Sequence, residues 1–290
     1  MRCKTFIWPR RLTSLEVCGV MRVWCFTPNP VRERKFVVGS GRVEVSAGGK
    51  GRNVARQLRA WGIPAISKTI FDSLVSGSDV GSEHRERVGW ALVREGEERI
   101  DFFTEDLKIA KGDWRKIWEY WMRNLKPGDW WVVAGSSATG WPKGWWKKLI
   151  SDLQKKGVSV LVDSRGALLR EAVEAGVDWI KRNLAEAEET TGMKGVDRCI
   201  RGLKGDETTG VVVTLGKDGL AAEVNSGRIL VSATRVRVLD ATGSGDVVTA
   251  TILYGEIQKW TMEKTLQTAV KAGALNTKGE GNVAKAILRG

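Results

Sequence analysis

Residues 240–246 read Asp-Ala-Thr-Gly-Ser-Gly-Asp, and the apolar run Val-Val-Thr-Ala-Thr-Ile-Leu follows at once as residues 247–253. Small residues and two glycines therefore lead directly into a segment that has the composition of a buried helix. The first backbone N–H groups of a helix have no partner within the helix, so its start is a natural binding site for anions. The stretch predicts a glycine-rich turn that opens a helix and can hold an anion.

Asp246 ends this turn and places a carboxylate beside the predicted anion site. A carboxylate there can accept a proton from a hydroxyl while the N–H groups stabilise charge that develops on a phosphate. The alternative is structural, because an acidic residue in the first turn of a helix is also favoured by the helix dipole.

A second glycine-rich loop opens a helix at residues 47–56, Ala-Gly-Gly-Lys-Gly-Arg-Asn-Val-Ala-Arg, with apolar positions at Val54, Leu58 and Trp61. The spacing is not that of a P-loop, which requires Gly-Lys-Ser/Thr after four intervening residues. Glycine lets a ligand approach the backbone closely, and Lys50 and Asn53 supply hydrogen-bond donors. A tight strand-to-helix turn without a ligand is the alternative interpretation.

Short apolar runs at residues 130–134, 158–163 and 211–214 have the pattern of buried strands. Helix-like segments at 166–175 and 183–191 lie between them, and this alternation predicts a parallel sheet with ligand sites at the carboxyl ends of its strands. Residues 35–38, 42–46 and 88–93 look like exposed strands, which we expect to form a small flap beside that sheet.

Composition narrows the functional classes. The net charge of +13, from 47 basic and 34 acidic residues, suits an anionic partner such as a nucleotide, a sugar phosphate or nucleic acid. The basic residues are dispersed, so general basicity is favoured over a nucleic-acid surface. Trp114, Trp118 and Trp121 recur with helical spacing, which predicts core packing rather than base stacking.

Other features carry little function. No apolar run is long enough to cross a bilayer, the four cysteines show no metal or disulfide spacing, and His84 is the only histidine. We therefore expect a reduced, cytoplasmic protein without a membrane partner. Residues 1–20 are interpreted as an N-terminal extension of unknown role.

Taken together and in this order, the two glycine-rich motifs resemble those of the ribokinase/PfkB carbohydrate kinase family, and the likeness covers residues 21–290. Four shorter elements fit the same family: Ala134-Gly-Ser136, Asp163-Ser-Arg-Gly166, Asn183-Leu-Ala-Glu186 and the run from Val213 to Gly219. The resemblance implies a three-layer α/β/α ribokinase-like fold with a mostly parallel central sheet. It also implies a small β flap, or lid, formed mainly by about residues 31–46 and 86–104.

The resemblance further implies ATP and Mg²⁺ as cofactors. By position, Asp246 would be the catalytic base, and an anion hole would be formed by Gly243, Ser244 and Gly245. The nucleotide would be bound by Asn183, Thr214, Gly216 and Gly219, and Glu186 would hold the metal, through water. Asn183 and Glu186 also have the spacing of a capping box, which is a purely structural alternative.

Within the family, Thr27-Pro-Asn-Pro30 and Asn53-Val-Ala-Arg56 point to the phosphosugar branch, which includes 1-phosphofructokinase and tagatose-6-phosphate kinase. A sugar or sugar phosphate would then be bound by the following side chains and glycine: Glu33, Gly49, Lys50, Asn53, Arg85, Arg99 and Ser136. The two arginines suit the substrate phosphate because a guanidinium binds phosphate oxygens bidentately. A homodimer through the flap is a further implication.

The chain departs from the family pattern at three places. Glu33 stands where the branch has aspartate, the passage from Gly62 to Arg85 is shorter than usual, and Lys181-Arg-Asn183 replaces Lys-Pro-Asn. Three hypotheses follow: an ATP-dependent sugar or sugar-phosphate kinase, a catalytically weakened homologue that binds nucleotide or sugar phosphate, and a nucleic-acid-binding protein. The ordered motifs favour the first.

Overall fold

A computed structural model describes residues 21–38, 41–74, 87–93, 100–233, 236–238 and 241–277 of the chain. Its main sheet has eight strands in the order β12-β11-β10-β9-β8-β7-β1-β4. The strands β4, β1, β7, β8, β9 and β10 are parallel, whereas β11 and β12 continue the sheet antiparallel. Their bounds are β1 Val23–Thr27, β4 Ala65–Thr69, β7 Trp130–Ala134, β8 Ser159–Asp163, β9 Trp179–Asn183, β10 Gly210–Thr214, β11 Leu220–Val224 and β12 Gly227–Val231.

Helices cover both faces of this sheet. They are α1 Lys50–Ala60, α2 Ile70–Leu74, α3 Asp113–Asn124, α4 Trp145–Lys155, α5 Gly166–Ala175, α6 Leu184–Thr191, α7 Val196–Leu203, α8 Ser244–Ile257 and α9 Met262–Asn276. One buried cluster joins one face of the sheet to residues of α2 to α7, and a second joins the other face to α1, α8 and α9. The architecture is the three-layer α/β/α fold that the family resemblance implied.

The buried strands and the tryptophan-rich helix confirm their sequence patterns. Every residue of β7 is buried, as a strand covered on both faces requires. In α3, Trp121 is completely buried and packs edge-on against Phe26 and Trp131, with ring centroids 4.9 and 5.4 Å away. The tryptophan spacing thus marks the side of the helix that packs on the sheet.

A second, smaller sheet comprises β2 Val31–Val37, β3 Arg42–Gly48, β5 Arg87–Val93 and β6 Ile100–Phe103, in the order β3-β2-β5-β6. The four strands fall at about residues 31–46 and 86–104, the ranges given for the flap, except that β3 continues to Gly48. Its register aligns Val31 with Arg87 and Glu33 with Gly89, so Glu33 and Arg87 share one face of the sheet. Arg87 on that face reaches Ser136 at the end of β7, so the face is turned towards the carboxyl edge of the main sheet.

None of the helices in the described part of the chain combines the length and the apolar character that a bilayer crossing requires.

Candidate active site

The start of α8 presents backbone donors at the half-buried end of a helix whose later residues are mostly buried. Gly243 precedes the helix with a φ of 77°, a left-handed conformation that favours glycine. Asn276 of α9 fixes the turn, because its side-chain amide donates to the carbonyl oxygen of Thr242 at 2.8 Å and to the hydroxyl of Ser244 at 3.3 Å. The Ser244 N–H donates to the Ala241 carbonyl oxygen at 3.2 Å, and the N–H groups that follow it in the first turn are held in place as an anion site.

Asp246 lies in this first turn and is only 6% exposed. Burial raises its pKa to about 6, and the negative charge of Asp163 adds to the rise, against the opposing charge of Lys50. The side-chain amide of Asn53 donates a 2.7 Å hydrogen bond to Oδ2 of Asp246 and favours the charged form. The carboxylate can therefore exchange a proton near neutral pH.

Asn53 brings the second glycine-rich motif to this carboxylate. Gly49 has a φ of 120°, and a Cβ there would lie 2.6 Å from Cγ2 of Thr27. Gly51 is as constrained, since its Cβ would lie 2.7 Å from the carbonyl oxygen of Phe26. The loop can therefore lie against the end of β1 only with glycine at these positions, which sets α1 and Asn53 beside α8.

Asp163, at the carboxyl end of β8, is the buried electrostatic centre of the region. Its carboxylate accepts hydrogen bonds from Lys50 at 3.1 Å, Lys181 at 3.2 Å and the Thr249 hydroxyl at 3.2 Å, and Arg182 Nη1 lies 3.8 Å away. Burial by itself raises the pKa of Asp163, but the cations Lys181, Lys50 and Arg182 outweigh it and hold the pKa far below its usual value. The carboxylate is ionised at any physiological pH.

Lys50 joins Asp163 to the first turn of α6. Its ammonium lies 3.1 Å from Oδ1 of Asp163 and 3.6 Å from Oε1 of Glu186. Burial opposes its charge, yet the carboxylates of Asp163, Glu186 and Asp246 together raise the pKa of Lys50 above its ordinary value. Lys50 is thus placed centrally among carboxylates, whereas the resemblance assigned it to the sugar.

Asn183 and Glu186 form the capping box that their spacing allowed. The Asn183 side chain accepts from the Glu186 N–H at 2.8 Å, and Glu186 Oε2 accepts from the Asn183 N–H at 3.2 Å. No group of three or more metal-ligating side chains occurs among the described residues. Mg²⁺ usually keeps several waters and binds mainly to substrate phosphates, so a partly exposed Glu186 fits a metal that arrives with the nucleotide and is contacted through water.

A cavity of about 790 Å³ opens beside the start of α8. Thr214, Gly216 and Gly219 line one side of it and Ser244 and Gly245 the other. Val238, Val248, Val270 and Ala274 add apolar surface. Gly219 has a φ of 103°, and a Cβ there would collide with the Val231 carbonyl oxygen. An apolar cavity that ends at helix N–H groups can accept a base and its phosphates.

On the other side of Asp163, polar side chains gather at the end of β7. Asn29 donates to Asp106 at 2.7 Å and to the Ser136 hydroxyl at 3.0 Å. Arg87 reaches the same hydroxyl at 3.4 Å and pairs with Asp106 at 3.3 Å. Burial lowers the pKa of Arg87, and the nearby charge of Arg165 lowers it further, against Asp106. This cluster is suited to an acceptor that carries an anionic group.

The structure therefore brings most of the sequence candidates to one edge of the main sheet. Glu33 lies on the face of the small sheet that bears Arg87, while Arg85 and Arg99 fall outside the described residues. Sequence reasoning missed Arg87 and gave Asp163 no role. For Asp163 a signal existed, because it ends a predicted buried strand and two cations, Lys181 and Arg182, stand directly before the helix predicted at 183–191.

Comparison with known proteins also indicates a carbohydrate kinase. A family model described as pfkB family carbohydrate kinase matches residues 80–286. The 1-phosphofructokinase of Escherichia coli (strain K12) is 25% identical over 247 residues, covering 79% of this chain and 79% of that protein. A tagatose-6-phosphate kinase of Staphylococcus epidermidis (strain RP62A) is 26% identical over 257 residues, covering 80% of this chain and 81% of that one.

Solved structures match the fold over nearly the whole chain. Phosphofructokinase-2 from Escherichia coli, in complex with substrates and products, superposes with a TM-score of 0.73 at 21% identity and covers 92% of this chain and 95% of its own. A possible 1-phosphofructokinase from Thermotoga maritima gives a TM-score of 0.72 at 16% identity, covering 89% and 92%. At these identities the likeness establishes the ribokinase-like fold.

Replacing Asp163 with asparagine tests its role as the buried counter-ion. We expect Asp163→Asn to lower the free energy of unfolding by about 3–5 kcal/mol at neutral pH, because the buried cations lose their partner. Since the folded-state pKa of Asp163 is lowered, this contribution is complete above the unfolded pKa of about 3.9 and is lost as the pH falls below it. Urea unfolding at several pH values measures the difference.

Asp197→Asn is the matched control, because Asp197 is exposed in a surface ion pair with Arg228. Asp197→Asn should lower the free energy of unfolding by no more than about 1 kcal/mol. Equal stabilities of the Asp163 and Asp197 variants would contradict the role of Asp163.

Proposed function

The chain belongs to the pfkB family of carbohydrate kinases, and from that premise we propose that it transfers the γ-phosphoryl group of ATP to a hydroxyl of a sugar phosphate. One observation carries the proposal: Asp246, at the N-terminus of α8, is hydrogen-bonded at 2.7 Å to Asn53 of the other glycine-rich motif. A base, an anion site and a hydroxyl-binding amide therefore meet at one point, as phosphoryl transfer requires.

In the proposed mechanism, Asp246 accepts the proton of the acceptor hydroxyl as that oxygen attacks the phosphorus. Gly243, Ser244 and Gly245 donate N–H groups that stabilise the charge on the transferring group. Lys50 adds a positive charge close to Asp246. When bound with the nucleotide, Mg²⁺ balances the phosphate charge.

The polar cluster at the end of β7 supports a phosphorylated acceptor. Arg87 and Arg165 lie close enough for the charge of one to affect the other, and Asp106 is the carboxylate that pairs with Arg87. An acceptor phosphate beside them would relieve the repulsion between the two guanidinium groups. We therefore assign acceptor binding to this cluster together with Asn53, Gly49 and Glu33, with Ser136 donating to the phosphate.

A catalytically weakened homologue that binds nucleotide or sugar phosphate is the second candidate. One observation favours it: the Glu186 carboxylate already has partners within the chain. It takes part in the capping box and forms ion pairs with Lys50 and Arg182. Tight nucleotide binding without turnover on any sugar phosphate would select this candidate.

The small sheet has an exposed apolar face that a second copy of the chain could cover. Its register places Val43, Phe36, Leu92 and Ile100 in one row across the sheet, and Val45, Arg34, Trp90 and Phe102 in the next row on the same face. Of these, Val45 and Phe102 are 63% and 55% exposed. An apolar sheet face of this kind is typical of an interface, and we propose that it forms a homodimer.

Asp246→Asn should reduce phosphoryl transfer by about 10²- to 10⁴-fold, because the amide cannot accept the proton. Affinity for the nucleotide should be retained, because the N–H groups of α8 remain. Coupled ADP release is measured with fructose 1-phosphate, fructose 6-phosphate and tagatose 6-phosphate, and with the unphosphorylated sugars. Asp197→Asn should keep the wild-type rate. Equal turnover by the wild type and the Asp246 variant would contradict the proposed base.

The pH profile provides an independent test of the same carboxyl. Since only ionised Asp246 can act as base, kcat/KM for the acceptor should rise with pH and level off above about 6. Asn53→Ala removes a hydrogen bond that favours the Asp246 carboxylate, so the pKa of Asp246 should rise. The acid limb of the variant's pH profile should therefore move to higher pH. Substrate ionisation is common to both proteins, and the shift between them therefore reports the enzyme. Superimposable acid limbs would contradict the assignment.

Phe102→Glu should convert the proposed dimer into a monomer, because it places a charge in the apolar face. Light scattering at tens of micromolar protein measures the mass. Glu105→Lys, an exposed charge reversal just beyond β6, should leave the dimer intact. A wild-type protein that is monomeric under these conditions would show that the face is not a dimer interface.

A further inference from the structure

Arg182 is a buried guanidinium directly beneath the candidate active site. It precedes Asn183 at the end of β9 and is 1% exposed. Its Nη1 lies 3.8 Å from Oδ1 of Asp163, and its Nη2 lies 3.3 Å from Oε2 of Glu186. Neither its Nε nor its Nη2 has a hydrogen-bond partner within the described part of the chain, so the contact with Glu186 is an ion pair without a hydrogen bond. Burying such a group is costly, so its position needs a physical reason.

Lys50 reaches the same two carboxylates from the cleft. Its ammonium contacts Oδ1 of Asp163 at 3.1 Å and Oε1 of Glu186 at 3.6 Å. Lys50, Asp163, Arg182 and Glu186 therefore form a closed ring of alternating charge, which we call the charge ring. Asp163 and Arg182 are its buried half, whereas the side chains of Lys50 and Glu186 are 33% and 26% exposed.

The charge ring determines which cation can move away without leaving Asp163 or Glu186 unpaired. If Lys50 moves away, Asp163 keeps Lys181 and Arg182, and Glu186 keeps Arg182. Neither carboxylate is then left without a cation. If Arg182 were absent, Lys50 would be the one cation paired with Glu186 among the described residues, and its departure would leave that carboxylate uncompensated. Leaving a charge unpaired at a partly buried site is unfavourable.

We propose that Arg182 is a positioning residue that frees Lys50 to transfer its ammonium from the charge ring to the phosphates of the bound nucleotide. Arg182 does so by keeping Asp163 and Glu186 neutralised while Lys50 is away. This inference rests on the proposed function. Arg182 stands where the sequence departs from the family pattern, which has proline between the lysine and the asparagine, so the device belongs to this chain's own residues.

The competing explanation is that Arg182 only fills space and stabilises the end of β9. The two explanations differ in how Arg182 and Glu186 combine. If Arg182 only stabilises the fold, removing Glu186 as well deletes a second interaction, and the defect grows. If Arg182 frees Lys50, removing Glu186 also removes the carboxylate that retains Lys50, and nucleotide binding recovers.

Calorimetric binding of a non-hydrolysable ATP analogue, AMP-PNP, with Mg²⁺ and with EDTA, tests this coupling. Arg182→Met should weaken binding about tenfold. This corresponds to about 1.4 kcal/mol of binding free energy. Adding Glu186→Gln to it should bring the affinity back to within about threefold of Glu186→Gln alone. The pattern should persist in EDTA, because it depends on Lys50 and not on the metal.

Arg22→Met is the matched control. It removes an arginine from a partly buried ion pair with Asp129, remote from the cleft, and should leave AMP-PNP affinity unchanged. Should Arg182→Met fail to fold, Arg182→Gln removes the same charge and keeps hydrogen-bonding capacity. Unchanged affinity of the folded Arg182 variants, or a double variant weaker than Arg182→Met, would overturn the proposal.

The binding measurement separates this inference from the proposed function. Recovery of affinity in the double variant, together with no phosphorylation of any sugar phosphate by the wild type, would keep the charge ring and overturn the kinase assignment. Turnover by the wild type without any coupling between Arg182 and Glu186 would keep the kinase assignment and overturn the role of the charge ring. A wild type that does not bind AMP-PNP would overturn both.

Discussion

A carboxylate that is completely buried must be balanced by cations, and Asp163 imposes that requirement on the whole active-site edge. Lys50 of the N-terminal motif, Lys181 and Arg182 at the end of β9, and Thr249 of α8 all converge on it. Removing such a carboxylate from this environment is expected to cost several kcal/mol. Asp163 therefore ties together segments that are far apart in the sequence and holds the proposed base close to its neighbours.

The same charges account for the chemistry that we propose. Asp246 is buried near another carboxylate, which raises its pKa to about 6, while Asn53 limits the rise. A base with that pKa is ionised at neutral pH and still a useful proton acceptor. In the proposed role, Arg182 extends the network, because it gives Asp163 and Glu186 a cation that does not have to leave when nucleotide binds.

Much of the fold was predictable from sequence because its signals are local. The buried run of β7 and the tryptophan spacing of α3 each follow from one short pattern, and both were confirmed. The position of Asp163 at the end of a buried strand was a sequence signal, but its partners and those of Arg87 were not predictable, since they depend on which strand ends become neighbours in the sheet. Glu186 illustrates the limit: its capping box is real, whereas a role towards metal depends on ligands that no spacing encodes.

The most direct test is a crystal structure with AMP-PNP, Mg²⁺ and a fructose phosphate. The account predicts that the γ-phosphate contacts the N–H groups at Gly243 to Gly245 and that an acceptor hydroxyl lies within about 3 Å of the Asp246 carboxylate. Lys50 should contact the phosphates, with Arg182 still between Asp163 and Glu186. A γ-phosphate bound away from the start of α8, or no acceptor hydroxyl near Asp246, would contradict the account.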